Sequence, residues 1–156
     1  MDKSVLETAR PAIRIAGVAL IAITLTACET IDLGPKPHPL TGKTWRLIDV
    51  ETEGGSTRLQ RAQQERHTLR FNADGTLLLK LDCNQGNATW NASDPVTYNG
   101  TMSISQIAAT RALCPPPTWG EDLALDLPSS TAYTLTPDGK GLVIRARRVV
   151  YAFSIN

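Results

Sequence analysis

From residue 67 to residue 81, apolar side chains recur at every second position. Leu69 and Phe71 come first, then Leu77, Leu79 and Leu81, and Ala73-Asp74-Gly75 lies between the two runs. A spacing of two places alternate residues on one face of a strand. Gly75 is free to take a positive φ, so the tripeptide reads as a turn and the two runs as a hairpin, with Thr68 and Arg70 outward. The same alternation recurs elsewhere. Over 44–50, Trp45 and Leu47 share one face and Arg46 and Ile48 the other. Over 149–155, Val149, Tyr151, Phe153 and Ile155 share a face. Residues 87–91, 101–105, 131–136 and 142–146 read as further strands, and Pro137-Asp138-Gly139-Lys140-Gly141 as a second hairpin turn. Eight short strands with frequent turns predict a sandwich or barrel rather than alternating βα units.

One segment breaks the alternation. Across 118–127, Trp119, Leu123 and Leu127 are spaced by four, which puts them on one helical face. Pro115, Pro116 and Pro117 precede this stretch, Glu121 and Asp122 fall in its first turn, and Pro128 follows it. Prolines suit a helix start, acidic residues suit its positive end, and the trailing proline is expected to stop it. The spacing predicts one short amphipathic helix packed across an end of the sheet.

The N-terminus has a different character. Lys3, Arg10 and Arg14 outnumber Asp2 and Glu7, and residues 15–27 are small or apolar apart from Thr24 and Thr26. Such a run is too short for a bilayer core, which takes about 20 helical residues. A charged start, a short apolar stretch and a small final residue are the parts of a secretory signal, here 1–27. The run ends Leu25-Thr26-Ala27-Cys28. That tetrapeptide resembles the lipobox of bacterial lipoproteins, which implies cleavage before Cys28 and acyl chains on it. A plain secreted protein with Cys28 beside a cleavage site is the alternative. In the sorting rule of such lipoproteins Asp after the cysteine favours the inner membrane. Glu29 departs from it and points to the outer membrane. Residues 28–39 hold Pro35, Pro37 and Pro39 in alternation and read as a semi-rigid tether, with His38 as a solvated spacer residue. The domain proper is expected over 40–156.

Charge excludes one class of partner. The 156 residues carry 16 Lys+Arg against 15 Asp+Glu, and removal of 1–27 leaves 13 of each. Without a basic face there is no nucleic-acid partner to expect and no polybasic hold on acidic lipid. Attachment to a membrane then falls to the acyl chains on Cys28.

Cys83 and Cys114 are the only thiols of the expected domain. Outside the cytoplasm such a pair reads as one disulfide. The rival is a nucleophilic cysteine with His67 as its base, but His67 in an alternating strand reads as a surface or rim residue. Two Cys and two His lack the paired spacing of a zinc site. No nucleophile elbow, phosphate loop, dinucleotide fingerprint or His-Glu-x-x-His is present, so neither a catalytic residue nor a cofactor is expected. Asn87-Ala88-Thr89, Asn91-Ala92-Ser93 and Asn99-Gly100-Thr101 match the glycosylation sequon but read as turn residues.

Several pieces then fall in a known order. Leu40-Thr41-Gly42-Lys43-Thr44-Trp45-Arg46-Leu47 comes first and Leu69-Arg70-Phe71-Asn72-Ala73-Asp74-Gly75 second. Cys83-Asn84, Thr110-Arg111 with Cys114-Pro115, the helix and a closing pair of strands complete the set. Together they resemble the META domain (HslJ-like) family over about 40–156. Two departures stand out: Asp82 where the family often has Gly before Cys-Asn, and Trp90 where a Tyr is common. The first raises an ion pair, because Asp82 beside one cysteine and Arg111 near the other come within reach if a disulfide joins their loops. The alternative is that both are solvated.

The resemblance implies a mainly β (α+β) fold. It would be a small cracked β-barrel or curved antiparallel sheet of about eight strands with one short helix, similar to lipid-binding pilotin lipoproteins. It implies an envelope lipoprotein linked to stress or antibiotic tolerance, without an established enzyme activity. The expected function is a noncatalytic binding or stabilising module for an apolar ligand or an envelope protein. The alternative is an inhibitor of a lysozyme or protease acting through the polar segment 51–66. A hydrolase is disfavoured by the missing constellation.

Overall fold

A computed structural model describes residues 36–155. The expected signal 1–27, Cys28 and most of the tether lie outside the described residues.

Ten strands form: β1 (Trp45–Thr52), β2 (Gly55–Arg58), β3 (His67–Phe71), β4 (Thr76–Leu81), β5 (Asn84–Ala92), β6 (Asn99–Ile104), β7 (Ala108–Ala109), β8 (Ala132–Leu135), β9 (Gly141–Arg145) and β10 (Val150–Ser154). Eight of them close a ring in the order β1-β3-β4-β5-β6-β8-β9-β10, and β10 pairs back onto β1. All ladders are antiparallel. Closure gives the ring strands partners on both sides. β2 and β7 are short additions, on the edges of β1 and β5 respectively.

Alternation fills the interior. Leu69, Phe71, Leu77, Leu79, Leu81, Tyr133, Leu135, Leu142, Ile144, Tyr151 and Phe153 are buried as their period of two requires. Leu123 and Leu127 join the same cluster from the helical segment. β1 departs from strict alternation, since Trp45 and Leu47 are buried but the next inward residue is Val50. A bulge between Leu47 and Asp49 inserts one residue against β10 and moves the inward face on by one. The carbonyl of the extra residue, Ile48, accepts the Leu59 N–H at 2.9 Å.

The expected polar loop 51–66 is instead largely regular. It holds β2 and a single-turn helix α1 (Arg61–Gln64). The Gln63 side chain accepts the Gln60 N–H at 2.8 Å, and Gln64 Nε2 donates to Leu59 O at 2.8 Å. The second helix, α2 (Gly120–Asp126), lies within the expected 118–127. Pro128 does not end the helical path, which tightens into a 3₁₀ turn over Leu127–Ser129. A proline at the start of a new turn has no N–H to lose there. The sequon asparagines were expected in turns, but Asn87 and Asn91 lie in β5 and Asn99 opens β6. The turn before β6 is made by Thr97 (φ 45) and Tyr98 (φ 74), both left-handed, without a glycine.

The barrel has two distinct ends. The proximal end, where the chain comes in, gathers residues 38–44, the β3–β4 turn, the β5–β6 loop and the β8–β9 turn. His38, expected as a solvated spacer, is half-buried here. Its Nε2 lies 3.0 Å from Ser93 O and 3.3 Å from the Tyr133 hydroxyl. Its ring meets Trp90 and Tyr133 edge-on. One carbonyl, one hydroxyl and two aromatic edges meet this imidazole, so His38 packs with the folded domain. The distal end carries the β4–β5 turn, α1, and a long excursion between β6 and β8 that contains β7 and α2.

Candidate functional site

The distal end is organised around the two-residue turn Asp82-Cys83. Asp82 takes φ 65, which explains why a glycine suits this position. The turn places Cys83 against Cys114, and the two form a disulfide with Cα atoms 5.7 Å apart. The thiol–imidazole pair weighed against it is not formed. Asn84 completes the clamp. Its Oδ1 accepts the Ala112 N–H at 2.7 Å and the Thr110 hydroxyl at 2.9 Å. Its Nδ2 donates to Ala112 O at 2.8 Å. One side-chain amide thus occupies both backbone groups of Ala112, as a neighbouring strand would.

The expected ion pair is corrected. Asp82 pairs with Arg66, Nη1 to Oδ1 at 2.6 Å, and not with Arg111. The left-handed turn draws Asp82 inward until its side chain is 1% exposed, and its N–H donates to Arg66 O at 2.7 Å. Arg66 is the residue just before β3, which β4 pairs along its length. Arg111 stays exposed on the clamped loop.

His67 is also corrected. It is 0% exposed, not a rim residue, because it shares the inward face of β3 with Leu69 and Phe71. Its Nε2 accepts the Trp119 N–H at 3.1 Å and its Nδ1 lies 2.7 Å from Gln63 O. These partners assign the neutral tautomer with the proton on Nδ1. Burial pulls its pKa below 6.5, against the opposing pull of the Gln63 carbonyl and the Asp82 charge.

Three further ties seat α2 on the barrel end. Leu123 and Leu127 are buried beneath it. Tyr151 donates to Asp126 Oδ2 at 2.7 Å, and burial with that carboxylate raises the phenol pKa. Gly120 lies so close to β4 that a Cβ there would stand 2.5 Å from Leu81 O. Asp122 is pushed up by burial and by its neighbours Asp126 and Glu121.

Between α2 and the clamped loop runs a groove of about 660 Å³. Ile107, Ala108, Ala109 and Ala112 wall one side, and Ala124 and Leu125 the other. Leu113 (101% exposed) and Leu125 (71%) stand bare at its rims. Arg111 and Glu121 carry opposite charges across it. A second, smaller depression of about 350 Å³ lies over β3 and β4, around Arg70, Leu78 and Lys80. Among the described residues, no three of His, Cys, Asp and Glu group as a metal site. The groove offers backbone polar groups, apolar side chains and one charge of each sign, which are the means of binding a chain or an apolar group.

Sequence reasoning missed the roles of Arg66, Asn84, Leu113 and Leu125. A signal existed for Leu113, an apolar residue between Arg111 and the prolines. Arg66 had none, because its partner is set by the pairing of β3 with β4.

A closed eight-stranded antiparallel barrel with one end covered by a short helix and a disulfide-held loop defines a class of small β domain. The META domain model matches residues 38–154, and the chain belongs to that family. No curated protein matches it. Two solved structures are similar. One is a crystal structure of a DUF4847 family protein from Bacteroides vulgatus, with 15% identity and TM-score 0.52, covering 75% of this chain and 94% of that one. The other is the NMR structure of a protein from Burkholderia xenovorans, with 15% identity and TM-score 0.53, covering 80% and 92%. At that identity the likeness shows the fold alone.

Proposed function

We propose that this chain is a lipid-anchored envelope protein whose META domain is a noncatalytic binding module acting through the distal groove. The observation that carries the reading is the placement of the groove. The chain comes into the domain beside His38 and Ser93 at the proximal end, while the groove and its bare leucines lie at the distal end. An anchor upstream of residue 36 then leaves the groove accessible. The anchor itself is supported by Leu25-Thr26-Ala27-Cys28 and the short apolar run before it. Glu29 favours the outer membrane, facing the periplasm. Several acyl chains on one residue hold firmly, since each buried CH₂ contributes about 0.8 kcal/mol. A role in stress or antibiotic tolerance fits a module that holds an envelope partner.

The test is metabolic labelling with a clickable palmitate analogue, followed by fractionation. The full chain should take up label and sediment with the outer membrane. Cys28→Ser should lose the label and become soluble. A Cys28→Ser chain that stays with the membrane would overturn the anchor.

A further inference from the structure

β7 pairs with β5 through Ala108 and Ala109. The Thr110 N–H donates to Gln85 O at 2.9 Å, which fixes the alternation of the ladder. Ala108 and Thr110 therefore direct their backbone groups at β5, and Ile107, Ala109 and Arg111 direct theirs away from it. Among the described residues none of those outward N–H and C=O groups makes a hydrogen bond. Residues 106–113, which carry this row, line the groove. It is also held in place. The disulfide and the Asn84 amide fix residues 110–114. Ile107 sits over Gly86, where a Cβ would stand 2.9 Å from its Cγ2.

We propose that this edge takes an extended peptide segment of a protein partner, added to β7 as a further strand. The inference rests on the distal groove being the binding site and names what binds there. Only an extended chain satisfies donors and acceptors at alternate residues along one line. Small side chains at Ala108, Ala112 and Ala124 leave it room. Leu113 and Leu125 meet its apolar residues, placed at every second position. Glu121 on the α2 side favours a cationic residue facing it, near the crowded carboxylates of Asp122 and Asp126. A preformed edge loses little freedom on binding, so a short segment suffices.

The experiment pans a displayed library of random octapeptides against the detergent-solubilised full chain, with Leu125→Asp as the counter-target. Selected peptides should alternate apolar and polar residues and carry a cation. Each is then synthesised with backbone N-methyl groups at odd or at even positions. Strand addition requires that one methylated register lose about tenfold or more in affinity while the other keeps it. Amide exchange at Ile107, Ala109 and Arg111 should slow on binding. Ala109→Pro removes the central donor and should weaken binding similarly. Leu125→Asp, changing an exposed side chain, keeps the test readable if the proline disturbs the edge. No enrichment over the counter-target overturns the proposal. So does equal tolerance of both methylated registers, and so does a copurifying lipid that fills the groove without slowing exchange at Ala109. None of these readouts depends on Cys28, so failure here and failure of the anchor are separate results.

Discussion

Both ends of the barrel are closed around a histidine, and they are closed in opposite ways. At the proximal end His38 settles among groups that the strands and their turns already present: the Ser93 carbonyl and the Trp90 and Tyr133 rings. Phe71 backs Trp90 edge-on at 5.0 Å. At the distal end His67 points inward from β3 and holds a segment distant in the chain, through the Trp119 N–H. That segment is retained by long-range ties: the disulfide, the Asn84 amide, the Tyr151 hydroxyl on Asp126 and a neutral imidazole. Side chains of neighbouring strands and turns close over the incoming chain at the first end. At the second a distant segment is tied down by the disulfide, the Asn84 amide and His67, and a backbone edge is left free.

The comparison can be broken most severely at the disulfide. Replacing Cys83 and Cys114 together by Ala should cost about 3–4 kcal/mol in the chain-entropy model for a closed loop of 31 residues. Amide exchange should quicken over 107–114 while the β3–β4 turn stays protected. Equal loosening of both ends would show that they are not independent. Next comes Arg66→Met, which strands the Asp82 carboxylate. Breaking a fully buried pair costs about 3–5 kcal/mol. Arg66 is 35% exposed, so about 2–3 kcal/mol is expected in denaturant unfolding, with part recovered on adding Asp82→Asn. An unchanged midpoint would mean that the pair contributes nothing net.

The smallest effect sharpens the contrast by pH. Burial holds the folded pKa of His67 below 6.5, so the unfolded chain takes up the proton first as pH falls. Its contribution to stability is complete above 6.5 and is lost as pH drops from there through the depressed folded value. Asp122, pushed upward, acts in the opposite sense in a lower window, losing its contribution as pH rises from 3.8. Thermal melts of the full chain between pH 7 and 5 should fall, and His67→Gln should flatten that slope. An identical slope in the variant would assign it elsewhere.

Much of the fold was legible because period two survives burial. All eight ring strands coincide with alternating runs, and the helix with a spacing of four. What escaped was set by partners far along the chain. The bulge at Ile48 depends on β10. β7 is two alanines whose strand character comes from Gln85, Gly86 and Asn87 opposite. His67 was misread although its own alternation with Leu69 and Phe71 placed it inward. A histidine in an alternating strand reads as a rim residue, and the groups that make burial tolerable, Gln63 O and the Trp119 N–H, are backbone atoms that composition does not display. Asp82 shows the same limit. Its left-handed φ decided its direction, and direction chose Arg66 over Arg111.

The ring is joined between β1 and β10, the first and last of its strands in chain order. Synthesis releases the chain from its beginning, so β1 emerges with one side bare and waits for its mate until nearly everything else has been delivered. During that interval it is an unpaired border open to association with other chains. The disulfide unites segments from the middle of the chain and need not wait. A product cut short just before residue 150 keeps both cysteines and lacks the strand that closes the ring.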